Sequence, residues 1–333
     1  NNAIQNTFVE TRLLNNIQTI SLGSHYRFSP MIGGGLFMIQ KLFKTEKKTF
    51  ILSFVIIFIM LSLGLLVATM ILQSESNREQ RLKAAIPERS LIETERYFIT
   101  YKISRLASDL QFVNDTMHQH FSEDGSYEHL KELWLAYSNS RKVYDQIRYL
   151  DADGNEIVRV DYSPDGAFVV PQNQLQNTKE RYYFQQAIDL KENQMYISVL
   201  DLNMEHGAIE LPINPVIRFA QPFFDANGEK QGIIILNYSA SDILSQIDSV
   251  ADGSQGDVYL LNSDSFWLYN SRASYNEWTF SFNPKSTVKF SNYYPKEWGL
   301  ISAGGSGTMT TDNGYFTYAT IPYNDVSQFD NTT

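Results

Sequence analysis

The sequence predicts an α+β protein tied to a membrane by an N-terminal transmembrane helix. Three observations carry this expectation. An uncharged apolar run spans 49–72, and a heptad-spaced helix follows over about 87–117. Beyond it the hydrophobic period drops to two, in hairpins punctuated by Asp-Gly and Asn-Gly.

The apolar run, Thr49 to Leu72, contains no charge, and its only hydroxyls are Thr49, Ser53, Ser62 and Thr69. About 20 apolar residues at 1.5 Å rise cross the hydrocarbon core, whereas a cleaved signal has a shorter core and a small-x-small site. Lys41, Lys44, Lys47 and Lys48 precede the run, while Ser74, Glu75, Ser76 and Asn77 follow it. Lysine is retained on the cytoplasmic side, so residues 1–48 are expected inside and everything after Leu72 outside. Met38 stands just before the lysine cluster, and 1–37 show no amphipathic period. The expectation is that 1–37 precede the native start; peptides from them in the native host would overturn it.

Composition narrows the function. A net charge of -10 argues against a nucleic-acid partner, which needs concentrated Lys and Arg. The absence of cysteine removes disulfides, thiolate metal sites and Cys nucleophiles. Tyr and Phe number 20 and 21, which suits side chains packed on pleated surfaces.

After a polar stalk over 74–85, Pro87 stands where a helix can start. Ile92, Ile99, Ile103, Leu106, Leu110, Val113 and Met117 then form a seam on a helix of about nine turns, which either docks on its own domain or forms a dimer interface. A shorter helix is expected over 127–142, with Leu130, Leu133, Trp134 and Tyr137 on one face. Strands are expected at 143–150 and 156–162 around Asp153-Gly154, and at 216–224 and 232–238 around Asn227-Gly228. A looser pair is expected at 258–261 and 266–269. Helices are expected at 179–190 and 241–250, and the Gly/Ser-rich 251–256 marks a boundary. Hairpins flanked by helices make an α+β unit, and two such units fit the outer part.

The local sequences YDQIRYLDADGNEIVRVDY (144–162), LQNTKERYYFQQAIDL (175–190), YISVLDLN (196–203) and PVIRFAQPFFDANGEKQGIIILNY (215–238) resemble the double Cache sensor domains of bacterial histidine kinases and GGDEF diguanylate cyclases. The resemblance covers about 75–320 and is stronger in the first unit than in the second. It implies two PAS-like antiparallel-sheet (Cache) subdomains. The membrane-distal one would span 122–250 and the membrane-proximal one 251–333, cut short at its C-terminus, after a stalk and long helix over 73–121. It also implies an extracytoplasmic sensor in the bacterial inner membrane and a homodimer through the long helix. A second membrane helix and a kinase or cyclase output would lie beyond Thr333, with no catalytic role or cofactor in this part. The alternative is a membrane-tethered scaffold or adhesion module without a small ligand. A tethered hydrolase needs a nucleophile–base pair or metal cluster, and no G-x-S-x-G, HExxH or P-loop occurs.

Candidate ligand residues centre on Arg181-Tyr182-Tyr183-Phe184. Arginine presents a planar fork of donors matched to carboxylates, and aromatics beside it wall a pocket. In amino-acid-sensing members the motif resembles Arg-x-Trp-Tyr, completed by a strand Tyr and an Asp that pairs with the ligand's ammonium. Here Arg181 matches the Arg, while Tyr183 and Phe184 stand at the aromatic positions. Tyr196 is a candidate for the strand Tyr, and Asn237 stands where the Asp would be. Asparagine carries no charge, so a carboxylate without an α-ammonium is the expected ligand. Asp201, Asn203 and Glu205, with Arg218 on the facing strand, line the same pocket, or a bidentate Asp201–Arg218 pair is purely structural. The 151–156 stretch tempts one toward calcium, but its Gly comes fourth and no Glu falls at twelve, so a hairpin turn is expected.

Overall fold

The computed structural model describes residues 35–121, 126–322 and 326–328. The expectation for 1–37 therefore falls almost wholly outside the described residues. The chain divides into two units, 1–77 and 78–333.

Helix α1 (Gly35–His120) enters both. Within the first unit, Glu46–Ser76 is long and apolar enough to cross a membrane. Its large apolar side chains from Phe50 to Leu72 are exposed, as contact with hydrocarbon requires. The sequence places Pro87 at a helix start, but α1 passes through it. Proline removes one backbone bond, and Arg81-Leu82-Lys83-Ala84-Ala85 before it are strong helix formers.

In the second unit, α2 (Glu128–Arg141) ends at Lys142, whose φ of 56° turns the chain into the sheet. Strands β1 (Tyr144–Asp151), β2 (Glu156–Ser163) and β3 (Gly166–Val169) follow, then α3 (Tyr182–Ile188), β4 (Gln194–Ile197) and β5 (Asp201–Leu202). The small hairpin β6 (Met204–Glu205) and β7 (Ala208–Ile209) precedes β8 (Pro215–Phe224), β9 (Lys230–Ser239) and α4 (Ser241–Gly253). The rest comprises hairpin β10 (Tyr259–Leu261) and β11 (Trp267–Asn270), helices α5 (Thr279–Phe282), α6 (Phe290–Tyr293) and α7 (Pro295–Ile301), hairpin β12 (Ser306–Thr311) and β13 (Gly314–Ala319), and β14 (Val326–Gln328). The helix expected over 179–190 is shorter, because 178–181 is spent on a turn in which the Arg181 amide donates to the Thr178 carbonyl.

The main sheet is antiparallel in the order β14-β4-β8-β9-β1-β2-β3, with β5 also beside β8. The backbone of β14 thus joins the same sheet as strands lying more than a hundred residues earlier. Because side chains alternate across a strand, the sheet has two distinct faces. One carries Ile147, Val160, Phe219, Phe223, Leu236 and Tyr238 against α1, α2 and α4. From α1 come Ile99, Leu106, Leu110, Val113 and Met117, five of the seven predicted seam residues, all buried; Ile103 packs at their margin. Trp134 of α2 is buried there too, its indole N–H donating to Thr116 Oγ1 at 3.0 Å. The opposite face carries Leu150, Tyr196, Ala220, Ile233 and Ile235 against Tyr183, Phe184 and Ala187 of α3.

Candidate functional site

The α3 face is built by the first hairpin. Asp151 accepts from the amides of Asp153 and Asn155 at 2.9 and 2.8 Å, so its carboxylate closes the expected turn. Gly154 has φ +81°, and a Cβ there would come within 2.7 Å of Lys179 Cα. The glycine lets segment 176–179 lie on the hairpin, where the Thr178 amide donates to the Gly154 carbonyl at 2.8 Å. The Glu156 and Gln176 backbones are tied as well: the Glu156 amide donates to the Gln176 carbonyl, and the Gln176 amide donates to Glu156 Oε2, both at 2.9 Å. This seats Arg181 at the start of α3 above the sheet.

Beneath α3, strand register assembles a polar row. Gln146 of β1 pairs with Asp161 of β2 and with Asn237 of β9, and Asn237 pairs with Arg218 of β8. One pleat along, Arg148 faces Arg159. Arg148 donates to Glu156 Oε1 (3.2 Å), to the Tyr183 hydroxyl (3.3 Å) and to Asn237 Oδ1 (2.9 Å). Asn237 Nδ2 in turn donates to Gln146 Oε1 at 2.8 Å. Arg159 holds Asp161 with two bonds of 2.8 Å and also reaches Glu205 on the β6–β7 hairpin.

Tyr183 lies at the centre. The guanidinium carbons of Arg218, Arg148 and Arg181 sit 4.8, 5.4 and 5.9 Å from its ring centroid, within cation–π range. Burial pushes its hydroxyl upward, but Arg148 and Arg218 outweigh that and hold it below its ordinary value. Arg218 is ion-paired with Asp201 and donates to Asn203 Oδ1 at 3.2 Å, so it does not grip Asp201 with both arms. The second Asp201 oxygen accepts from Tyr182 at 2.6 Å. Arg181 differs from its neighbours. Its side-chain contacts are Met204 Sδ at 3.6 Å and the Tyr183 ring, and among the described residues no carboxylate pairs with it. Buried Nε atoms of Arg148 and Arg218 also lack partners. Around Tyr183, three guanidiniums face two carboxylates, Glu156 and Asp201. Arg159, which shares Glu156 and also pairs with Asp161 and Glu205, brings the surrounding network to four guanidiniums and four carboxylates, so Arg181 stands out by its lack of a carboxylate partner among the described residues and not by a net surplus of charge.

The candidates Arg181, Tyr183, Phe184, Tyr196, Arg218 and Asn237 come together on this face, and Asp201 joins through Arg218. Phe184 and Tyr196 form its apolar end, in one buried cluster. Sequence reasoning missed Gln146, Arg148, Glu156 and Arg159, and put no weight on Asp145. A signal was present: Gln146 and Arg148, like Arg159 and Asp161, occupy alternate positions in strands whose other positions are apolar.

Acidic groups at the β6–β7 side titrate in opposite directions. Glu205 is held down to about 2, because Arg159, Gln146 and Gln176 outweigh its burial. Asp145 is pushed up to about 7 by burial, then by Glu210.

The family model for the sensor domain of bacterial histidine kinases matches residues 93–329. Among curated proteins no sequence relative matches. Solved structures share the fold. The extracellular domain assigned to a histidine kinase, vpHK1S-Z8, aligns with TM-score 0.50 and 20% identity, covering 67% of this chain and 84% of its own. A domain of a sensory box/GGDEF family protein from Vibrio parahaemolyticus aligns with TM-score 0.50 and 21% identity, covering 67% and 88%. The ligand-binding domain of the Campylobacter jejuni chemoreceptor Tlp3, in complex with L-valine, aligns with TM-score 0.50 and 11% identity, covering 71% and 88%.

Proposed function

Because the chain belongs to the bacterial histidine kinase sensor-domain family, we propose that its outer part binds a small carboxylate at the Arg181–Tyr183 site and reports occupancy to an output domain across the membrane. The observation that carries this is Arg181. A guanidinium beside two others, without a carboxylate of its own among the described residues, is a charge in need of a counter-ion. Amino-acid binding of the kind named for Tlp3 fits less well. Asn237 is neutral, and its amide is occupied by Arg148 and Gln146.

In this reading, 122–250 is the membrane-distal, ligand-binding subdomain and 251–333 the proximal one. The output is a kinase or a diguanylate cyclase, and the membrane is the bacterial inner membrane. Two copies associate through α1, where Tyr97, Tyr101 and Phe112 remain exposed. A ligand transmits a signal only by binding two arrangements of the sensor unequally. The scaffold reading draws on the Asp201–Arg218 pair, which is satisfied internally.

A thermal-shift screen of organic acids and amino acids on the full chain in nanodiscs separates the two, since a binder raises the melting temperature by mass action. Organic acids are expected to stabilise, and Arg181→Ala to weaken the best of them by about 2–5 kcal/mol in calorimetry. Equal affinity in wild type and Arg181→Ala would remove Arg181 from the site. If no acid shifts the melting temperature, the scaffold reading stands.

A further inference from the structure

The strands that line the site are also tied, on their opposite face, to the helix that contains the membrane span. Gln146 and Asn237 are cross-strand partners on the Arg148 side of β1 and β9, and Tyr144 and Tyr238 are partners on the helix side of the same two strands. Both tyrosines are buried. The Tyr144 hydroxyl donates to Asp109 of α1, which is also ion-paired with Arg141 of α2. The Tyr238 hydroxyl donates to Asp242 of α4, which is ion-paired with Lys102 of α1. The Lys102 ammonium lies 5.1 Å from the Phe98 ring centroid and 5.8 Å from that of Tyr238. Lys102 and Asp109 are about two turns apart on α1. The surrounding interface is largely apolar, with further polar contacts from α1 at Thr116 to Trp134, Glu95 to Gln246 and Glu88 to Ser254.

We propose that these two tyrosine–aspartate–cation ties are the relay by which the Arg148–Tyr183–Asn237 site moves α1. The inference rests on that site being the sensing pocket. The physical reason is directionality. Apolar contacts are non-directional, whereas a hydroxyl–carboxylate bond weakens steeply as its angle opens, and both of these bonds are partly buried. A ligand that draws Arg148 away from Asn237 shifts the β1–β9 pair. Tyr238 directly follows Asn237 and so points to the other face, and the irregularity between Tyr144 and Gln146 puts Tyr144 there too, so both carry that shift across the sheet. Burial, reinforced by Asp109 and Asp242 respectively, holds both hydroxyls above the ordinary tyrosine value, so they stay protonated and able to donate.

The test needs no ligand. Tyr183→Phe removes the hydroxyl that Arg148 donates to, and Arg148→Lys keeps the charge while shortening the reach. Hydrogen exchange of α1 amides over 98–116 is measured in the full chain in nanodiscs. Each substitution is expected to change exchange by at least about fivefold, the lower end of ordinary coupling between sites. The change is expected to vanish in a Tyr144→Phe/Tyr238→Phe background, which keeps both rings and removes both ties. Unaltered α1 exchange after both site substitutions overturns the relay, as does a full response in the double-Phe background. A chain that binds no carboxylate can still pass, so failure here and failure of the ligand reading are separate results.

Discussion

The two faces of the main sheet solve different problems with the same strands. On the α1 side the buried residues are almost all apolar, and the few polar atoms form isolated ties. On the α3 side, three arginines, Arg148, Arg159 and Arg218, are packed nearly as deeply and join with their carboxylates in one connected network. The first face stabilises by removing apolar area from water. The second gives up part of that gain, since buried ion pairs seldom improve on well-packed apolar residues. The loss is confined to one part of a face whose other end is apolar, and selective contact with a polar ligand is the use proposed for it.

Phe223→Ala strikes the apolar face at a fully buried ring in contact with Phe121 and Tyr149. It is expected to cost about 3–5 kcal/mol in chemical denaturation. A loss below about 1 kcal/mol would mean that this face is not the main source of stability. On the polar face, Arg148→Met is expected to cost about 3 kcal/mol, because the wholly buried Glu156 side chain keeps the Gln176 amide but is left with Arg159, at 3.6 Å, as its charged partner among the described residues. If Arg148→Met proved stabilising, the network would be a burden that methionine relieves, and the contrast between the faces would sharpen further.

The pH dependence separates two acids on that face. Asp145 is raised from 3.8 to about 7, so between those values the fold holds a proton that the unfolded chain has released. Stability from this group therefore falls as pH rises through that window and levels off above it. Asp145→Asn is expected to gain melting temperature over wild type from pH 4 to 7; a constant offset would contradict the assignment. Glu205 slopes the other way. It is lowered from 4.5 to about 2, so its contribution is present above 4.5 and lost as pH falls toward 2. The smallest expected effect is that of Arg181→Ala on the stability of the free protein, within about 0.5 kcal/mol, because Arg181 has no ion pair to break among the described residues. A larger loss would make it a structural residue.

The elements with strong periodicity were legible: the apolar run, the α1 seam, and the hairpins at Asp153-Gly154 and Asn227-Gly228, whose strands are displaced by a residue or two at their ends, whereas the helix expected to start at Pro87 continues unbroken from Gly35. The β6–β7 and β12–β13 hairpins were not read: β6 and β7 are two residues each, and β12 alternates in exposure but, as Ser-Gly-Thr-Met-Thr-Thr, carries a single large apolar side chain, so its sequence shows no apolar alternation. In the site, Arg181 and Arg218 were visible because each stands beside aromatic or acidic neighbours in the chain. Arg148 was not, because its partners Asn237, Glu156 and Tyr183 lie on other elements, up to 89 residues away.

The sequence alone determined what local physics can set: a segment apolar for long enough to cross hydrocarbon, a helix with one buried stripe, and strands that alternate. Only the tertiary structure decided which alternating residues meet. The Arg148–Asn237 contact exists because β1 and β9 pair in one register, and a slip of one residue would have put the two side chains on opposite faces of the sheet. Register is a property of two strands together, so neither strand's sequence could state it.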